Sequence, residues 1–157
     1  MKPVIDLERE YGLVLEGGGA KGAYQIGAWK ALLEAGVKIK GVSGTSVGAL
    51  NGALICMGNL EKAEEIWQNI SYSKVMDVDD DLMKQFFQLK LKARDFLELG
   101  LKYILEGGVD VTPLKKLIEE AVDPDAIMAS PTELYVQTFH VDSMQELHVD
   151  IKEICPE

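Results

Sequence analysis

An α/β fold, with a parallel-sheet core and flanking helices, is predicted by three features of the sequence. Two apolar runs, Leu13 to Leu15 and Val37 to Val42, each break into a glycine-rich loop that opens a helical pattern. The links are short, and strand, helix, strand, helix in that order calls for parallel strands joined by right-handed crossovers. Near the end, Glu133 to Val141 and Glu146 to Ile151 alternate apolar and polar residues around Asp142-Ser143-Met144-Gln145, the pattern of a closing antiparallel hairpin.

Taken in order, a polar lead (residues 1–10) precedes the first strand, which runs into Glu16-Gly17-Gly18-Gly19. Ala23, Ile26, Trp29 and Leu33 recur at helical spacing until Gly36 stops them. Val37 to Val42 is the second strand and ends at a serine, Ser46. Val47, Leu50, Leu54 and Met57 mark one face of the next helix, closed by Gly58-Asn59, and Glu61 to Ile70 reads as a third. Beyond Asp77-Val78-Asp79-Asp80-Asp81 a long helical stretch covers roughly 82 to 105. Thr112-Pro113 reads as an N-cap with proline in the first turn of a helix ending near Val122. The chain is therefore expected to be a single domain, with a core over 11–75, a helical region over 76–122 and the hairpin region over 123–157.

Composition narrows the function classes. A chain of 157 residues that is 47% hydrophobic can bury a real core. The net charge of −10 argues against nucleic-acid binding through general basicity. Residues 1–60 hold six basic and five acidic groups, net +1, so the remaining 97 carry −11. Cys56 and Cys155 are too few and too far apart for a disulfide framework or a CxxC clamp, so a reducing compartment is expected. Residues 1–10 do not look like a signal peptide, and no run reaches the roughly 18 apolar residues of a membrane span. A soluble, cytoplasmic protein whose membrane contact is peripheral is the expectation.

Gly44-Thr45-Ser46-Val47-Gly48 gives the strongest chemical signal. A nucleophilic serine must leave its strand on a sharp turn, which brings the residues two before and two after it too close for side chains. Glycine at both places removes the clash. A helix starting at Val47 would also direct its unpaired N–H groups and positive dipole end toward negative charge forming beside Ser46. Alone, the pattern is modest, because glycine-serine turns without chemistry are common.

The upstream loop Glu16-Gly17-Gly18-Gly19-Ala20-Lys21-Gly22 alters the balance. Gly17, Gly19 and Gly22 satisfy a G-x-G-x-x-G dinucleotide spacing, but the place for the ribose-binding acid reads Lys40-Gly41-Val42-Ser43. A phosphate-binding Walker loop fails as well, since Ala23-Tyr24 follows Gly22. Three consecutive glycines can instead turn their amides toward one point, as an oxyanion hole requires. The plainer alternative is that they serve close strand-helix packing.

These two loops, in this order and 27 residues apart from Gly19 to Ser46, closely resemble the start of the patatin-like phospholipase family. The specific resemblance covers residues 11 to about 70; from 80 to 157 only the general layout is similar. It implies a three-layer fold similar to that of the acyl carrier protein acyltransferases. It also implies hydrolysis of phospholipid or lysophospholipid acyl esters by a serine-aspartate dyad, without metal or cofactor. By resemblance Ser46 takes the nucleophile's place, Gly44 and Gly48 flank the elbow, and Gly17, Gly18 and Gly19 take that of the oxyanion loop. Lys21 stands where the family more often has arginine, which keeps a charge for an anion contact but loses bidentate geometry.

The family's later D-G-[GA] motif is absent: no aspartate here precedes a glycine. The resemblance therefore implies a domain incomplete at its C-terminus, its catalytic aspartate beyond residue 157 and the chain alone inactive, since a serine hydroxyl is a poor nucleophile without a proton acceptor. A triad of Ser46 with His140 or His148 and Asp110 or Asp123 would match another hydrolase order, but both histidines fall on hairpin strands. Asp77, Asp79, Asp80 and Asp81 lack the glycine and distal glutamate of a calcium loop and suit a solvated helix start. The stretch 82–105, locally +3, is read first as packed on the sheet, with an interfacial helix or a lid over an acyl pocket as alternatives. Two further functions stay open: transfer to a thiol or alcohol acceptor, against which Thr45 stands where acyltransferases commonly put histidine, and a non-catalytic lipid-binding module.

Overall fold

The computed structural model describes residues 5–71, 74, 75, 110–140 and 142–154. The expected helix over 82–105 and the aspartates at 77 and 79–81 lie outside the described residues. Residues 1–67 and 122–157 form one compact unit and residues 68–121 another.

Strand β1 (Glu10–Leu15) leads through a 3-10 turn (Gly19–Lys21) into helix α1 (Gly22–Glu34). Strand β2 (Lys38–Thr45), helix α2 (Val47–Met57) and helix α3 (Leu60–Asn69) follow. Helices α4 (Thr112–Ala121) and α5 (Pro124–Ala129) precede the hairpin of β3 (Glu133–His140) and β4 (Gln145–Asp150). The sheet order is β1-β2-β3-β4. Strands β1, β2 and β3 run parallel, with Leu13 opposite Val42 and Val42 opposite Leu134, and β4 closes antiparallel to β3. The serine-bearing strand is thus internal, with its C-terminal end held by hydrogen bonds on both sides.

Alternation along the strands decides which side chains meet the helices. Val42 and Leu134 are fully buried and face α2, where a methyl built on Gly52 would stand 3.1 Å from Leu134 Cδ1 and 3.2 Å from Val42 Cγ1. The missing side chain lets helix and sheet approach closely. Leu50 through Cys56 are all buried, as suits an α2 apolar nearly all round and enclosed by the sheet and α1. Cys56 donates its thiol proton to the Thr132 carbonyl (3.1 Å), a structural role for a small buried hydrophobe.

Two local expectations need correction. The inner stripe of α1 is Gly22, Ile26 and Trp29; Ala23 is exposed and Leu33 is 45% exposed, with Leu32 half-buried instead. Thr112 is the first residue of α4 and not its cap. Its N–H and hydroxyl both donate to Asp110 Oδ1 (2.8 and 2.6 Å), and these bonds, led by the hydroxyl's, hold the Asp110 carboxyl below its ordinary range. The hairpin begins at Glu133, where the alternation puts it, and residues 124–129 before it form α5, a helix the sequence reading did not include.

The signal for α5 is plain in retrospect. Asp123 caps it, accepting from the N–H groups of Asp125 (3.0 Å) and Ala126 (3.2 Å), and Pro124 supplies the pre-set first helical position. Asp123→Ala should cost about 1 kcal/mol of stability, read as a lower urea midpoint at unchanged slope. Asp123→Asn should restore most of it.

Candidate active site

At the end of β2 the chain turns on Ser46, which has φ 53° and ψ −128°, and α2 begins at the next residue. A side-chain-bearing residue in this region costs about 1–3 kcal/mol and persists only where its surroundings impose it. The surroundings here are backbone. A methyl on Gly44 would collide with the Gly48 carbonyl and lie 2.7 Å from Ala49 N. A methyl on Gly48 would collide with the Leu15 carbonyl oxygen and stand 2.9 Å from Glu16 O. The two glycines therefore let the turn close on itself and on the end of β1. The Ser46 carbonyl starts the helix, accepting from Ala49 N–H (2.9 Å) and Leu50 N–H (3.4 Å). Its hydroxyl stays exposed, with no hydrogen bond among the described residues.

The glycine loop lies against this turn. A methyl on Gly17 would stand 3.1 Å from Ser46 Cβ and 3.8 Å from Ser46 Oγ, so any side chain there would crowd the hydroxyl. Gly18 (φ 144°) and Gly19 (φ 55°) take conformations that favour glycine, and among the described residues their N–H groups donate to nothing. Lys21 N–H donates to Gly18 O (3.2 Å), and the Lys21 stem folds over Gly18 while the residue stays exposed and forms no ion pair among the described residues.

Sequence reasoning missed a buried network beside these loops. Asn51, fully buried in α2, donates from Nδ2 to the Gly22 carbonyl (3.0 Å) and to Gln25 Oε1 (2.8 Å). Gln25 Nε2 donates to the Glu16 carbonyl (2.8 Å), and the Trp67 indole donates to Asn51 Oδ1 (2.8 Å). The available signal was a lone amide amid the apolar residues of Ala49-Leu50-Asn51-Gly52-Ala53-Leu54, since a buried helix carries such a group only with partners.

The histidines are not brought to Ser46 by any hydrogen bond. His140 Nδ1 lies 2.7 Å from Ser143 Oγ, and His148, exposed, stands opposite Gln137. Tyr135 on β3 donates to Glu133 Oε2 (3.1 Å), a bond that raises its pKa and keeps the phenol protonated. Lys30 is likewise raised, first by its hydrogen bond to Glu64, an ion pair at 2.8 Å joining α1 to α3. Among the described residues no group of three or more metal-ligating side chains occurs, and no helix is long and apolar enough to cross a membrane.

With this geometry in place, comparison with known proteins is decisive for the family. The sequence model of the patatin-like phospholipases matches residues 13–143, which hold both loops, α1, α2 and β3. The chain belongs to the patatin-like phospholipase family. Within 46 residues it is 61% identical to the lysophospholipase nte1 of Aspergillus terreus, a match covering 29% of this chain and 3% of that protein. Within 45 residues it is 62% identical to the neuropathy target esterase sws of Drosophila persimilis, again 29% of this chain and 3% of the relative. The match thus spans a small part of these long relatives. Among solved structures, VipD from Legionella pneumophila superposes with a TM-score of 0.53 at 17% identity, over 90% of this chain and 39% of that one. That likeness is one of fold: a mostly parallel sheet with flanking helices that ends in the antiparallel hairpin of β3 and β4.

Proposed function

We propose that this patatin-like chain carries the nucleophile and the oxyanion loop of a serine hydrolase acting on phospholipid or lysophospholipid acyl esters. The observation that carries this reading is an exposed hydroxyl on a strained turn, beside the Gly18 and Gly19 amides, with neither hydroxyl nor amides hydrogen-bonded among the described residues. Ser46 Oγ attacks the ester carbonyl carbon while its proton passes to an aspartate of a D-G-[GA] motif C-terminal to Glu157. The carbonyl oxygen becomes an oxyanion facing the Gly17 to Gly19 amides, each donor being worth about 2.7–4 kcal/mol of barrier. The positive end of α2 adds to that field. Collapse breaks the ester C–O bond, and the leaving alcohol takes the proton held by the aspartate. Water then attacks the acyl-serine, losing its proton to the same aspartate; the acyl C–Oγ bond breaks, Ser46 Oγ takes that proton back, and the fatty acid leaves. The Lys21 ammonium, exposed and unpaired among the described residues, would meet the anionic phosphate of a headgroup. Such an enzyme would work in the cytoplasm and touch the membrane only at its surface.

A fluorophosphonate probe tests the assignment. It should modify the full-length protein at Ser46, mapped by peptide mass, and a short-chain nitrophenyl ester should be hydrolysed with release of free acid. The 157-residue chain alone should react about 10²-fold or more slowly, for want of its base. Modification at another residue, or none, rules the nucleophile out. Product formed only with a thiol or alcohol acceptor would make the enzyme a transferase.

A further inference from the structure

We propose that Asn51 is a positioning residue for this reaction: its side-chain amide ties both ends of the glycine-rich loop to the helix that starts at Ser46. The inference rests on the hydrolase reading above and deepens it. Asn51 lies five residues after Ser46 on α2, so it moves with the elbow as one rigid piece. Its Nδ2 reaches the C-terminal end of the loop directly, at the Gly22 carbonyl, and the N-terminal end through Gln25, whose amide holds the Glu16 carbonyl. An indole N–H can only donate, so Trp67 fixes which side of the Asn51 amide is oxygen and leaves both Nδ2 hydrogens for the loop.

Packing alone does not call for this arrangement. An apolar side chain would fill the site without the desolvation cost of a buried amide, and every other buried residue between Leu50 and Cys56 is apolar or glycine. What the amide supplies is register. Between the pinned ends, Gly18 and Gly19 are exposed, a methyl on Gly19 would touch nothing within 4 Å, and the Lys21 N–H bond to the Gly18 carbonyl joins the loop only to itself, so the ties at its ends set where the donors sit relative to α2. Oxyanion donors act only if already aimed when charge develops, and a misplacement of about 1 Å can cost about 10² in rate.

The test uses the full-length enzyme with two substitutions. Asn51→Asp keeps the shape and the acceptor for Trp67 but replaces both loop donors by a carboxylate oxygen. Gln25→Glu keeps the acceptor for Asn51 and loses only the bond to Glu16 O; being at a half-buried position, it serves if Asn51→Asp fails to fold. Expected are kcat losses of about 100-fold and about 10-fold respectively, with KM for a short-chain ester within about twofold. Inhibition by octylboronic acid, which forms a tetrahedral adduct on the serine, should weaken by the same factors. A merely structural role would lower the titratable active sites and leave the boronate constant per active site unchanged. That result, or kcat within twofold of the parent for both variants, overturns the proposal. If the parent fails to hydrolyse esters, or keeps turnover without the Ser46 hydroxyl, the hydrolase reading fails first and this one falls with it.

Discussion

Ser46→Ala in the full-length protein should abolish ester hydrolysis, with a loss of about 10⁴-fold or more, while the thermal midpoint stays within about 2 °C of the parent. The first half follows from covalent chemistry: without Oγ no acyl-enzyme forms, and removing the nucleophile from a concerted site costs about as much as removing the whole site. The second half is more particular to this structure. Alanine keeps the Cβ, so the strain at φ 53° is neither relieved nor increased. The oxygen removed is exposed and bonded to nothing among the described residues, so no internal partner is stranded. Activity from initial rates and stability from calorimetry must therefore separate completely. A variant that still turns over, or one that loses activity together with its fold, would contradict the assignment.

The elbow was legible in the sequence because its requirement is steric and local. A turn whose backbone passes within contact distance of itself can be built only with glycine, so Gly44 and Gly48 record the geometry in the residues themselves. The hairpin was legible for a similar reason, since alternation over its first half puts buried Leu134 and half-buried Val136 on the core side and exposed Tyr135 opposite, although Thr138 to His140 are all exposed. Helix α5 was overlooked although Asp123-Pro124 is a helix-start signal, because six residues show too little periodicity to stand against the hairpin pattern that follows. Leu33 was placed inward on spacing alone, which says where a face lies and not whether anything covers it at that turn. The Asn51 network lay beyond local reasoning. Its bonds join residues 26 and 16 apart in the chain, and nothing in the spacing says that Gln25 and Trp67 converge on one amide. Patterns enforced by a residue's immediate neighbours are written where they act, whereas a three-way meeting of helices is a property of the packed unit.

The same distinction predicts opposite outcomes for one substitution at two helical glycines. Gly48→Ala should destabilise the protein by about 3 kcal/mol or more, whereas Gly27→Ala should stabilise it by about 0.5–1 kcal/mol. On propensity alone both changes favour their helices. At Gly27, on the exposed side of α1, a methyl would meet nothing within 4 Å, so propensity decides. At Gly48 it would collide with the Leu15 carbonyl oxygen, 2.8 Å from Leu15 C and 2.9 Å from Glu16 O. These are backbone atoms with no rotamer to escape to, and Leu15 is paired to Gly44 across the parallel ladder. Relief must come from shifting α2 away from β1, which would loosen the ladder, move the Ser46 turn and draw the Gly17 to Gly19 amides out of line together. Urea unfolding should show the two midpoints moving in opposite directions at a common slope, and Gly48→Ala should lose most of its esterase rate even at temperatures where it remains folded. A loss under about 1 kcal/mol at Gly48 would mean that α2 can slide relative to β1, and the close approach of elbow and loop on which the mechanism depends would not be rigidly held.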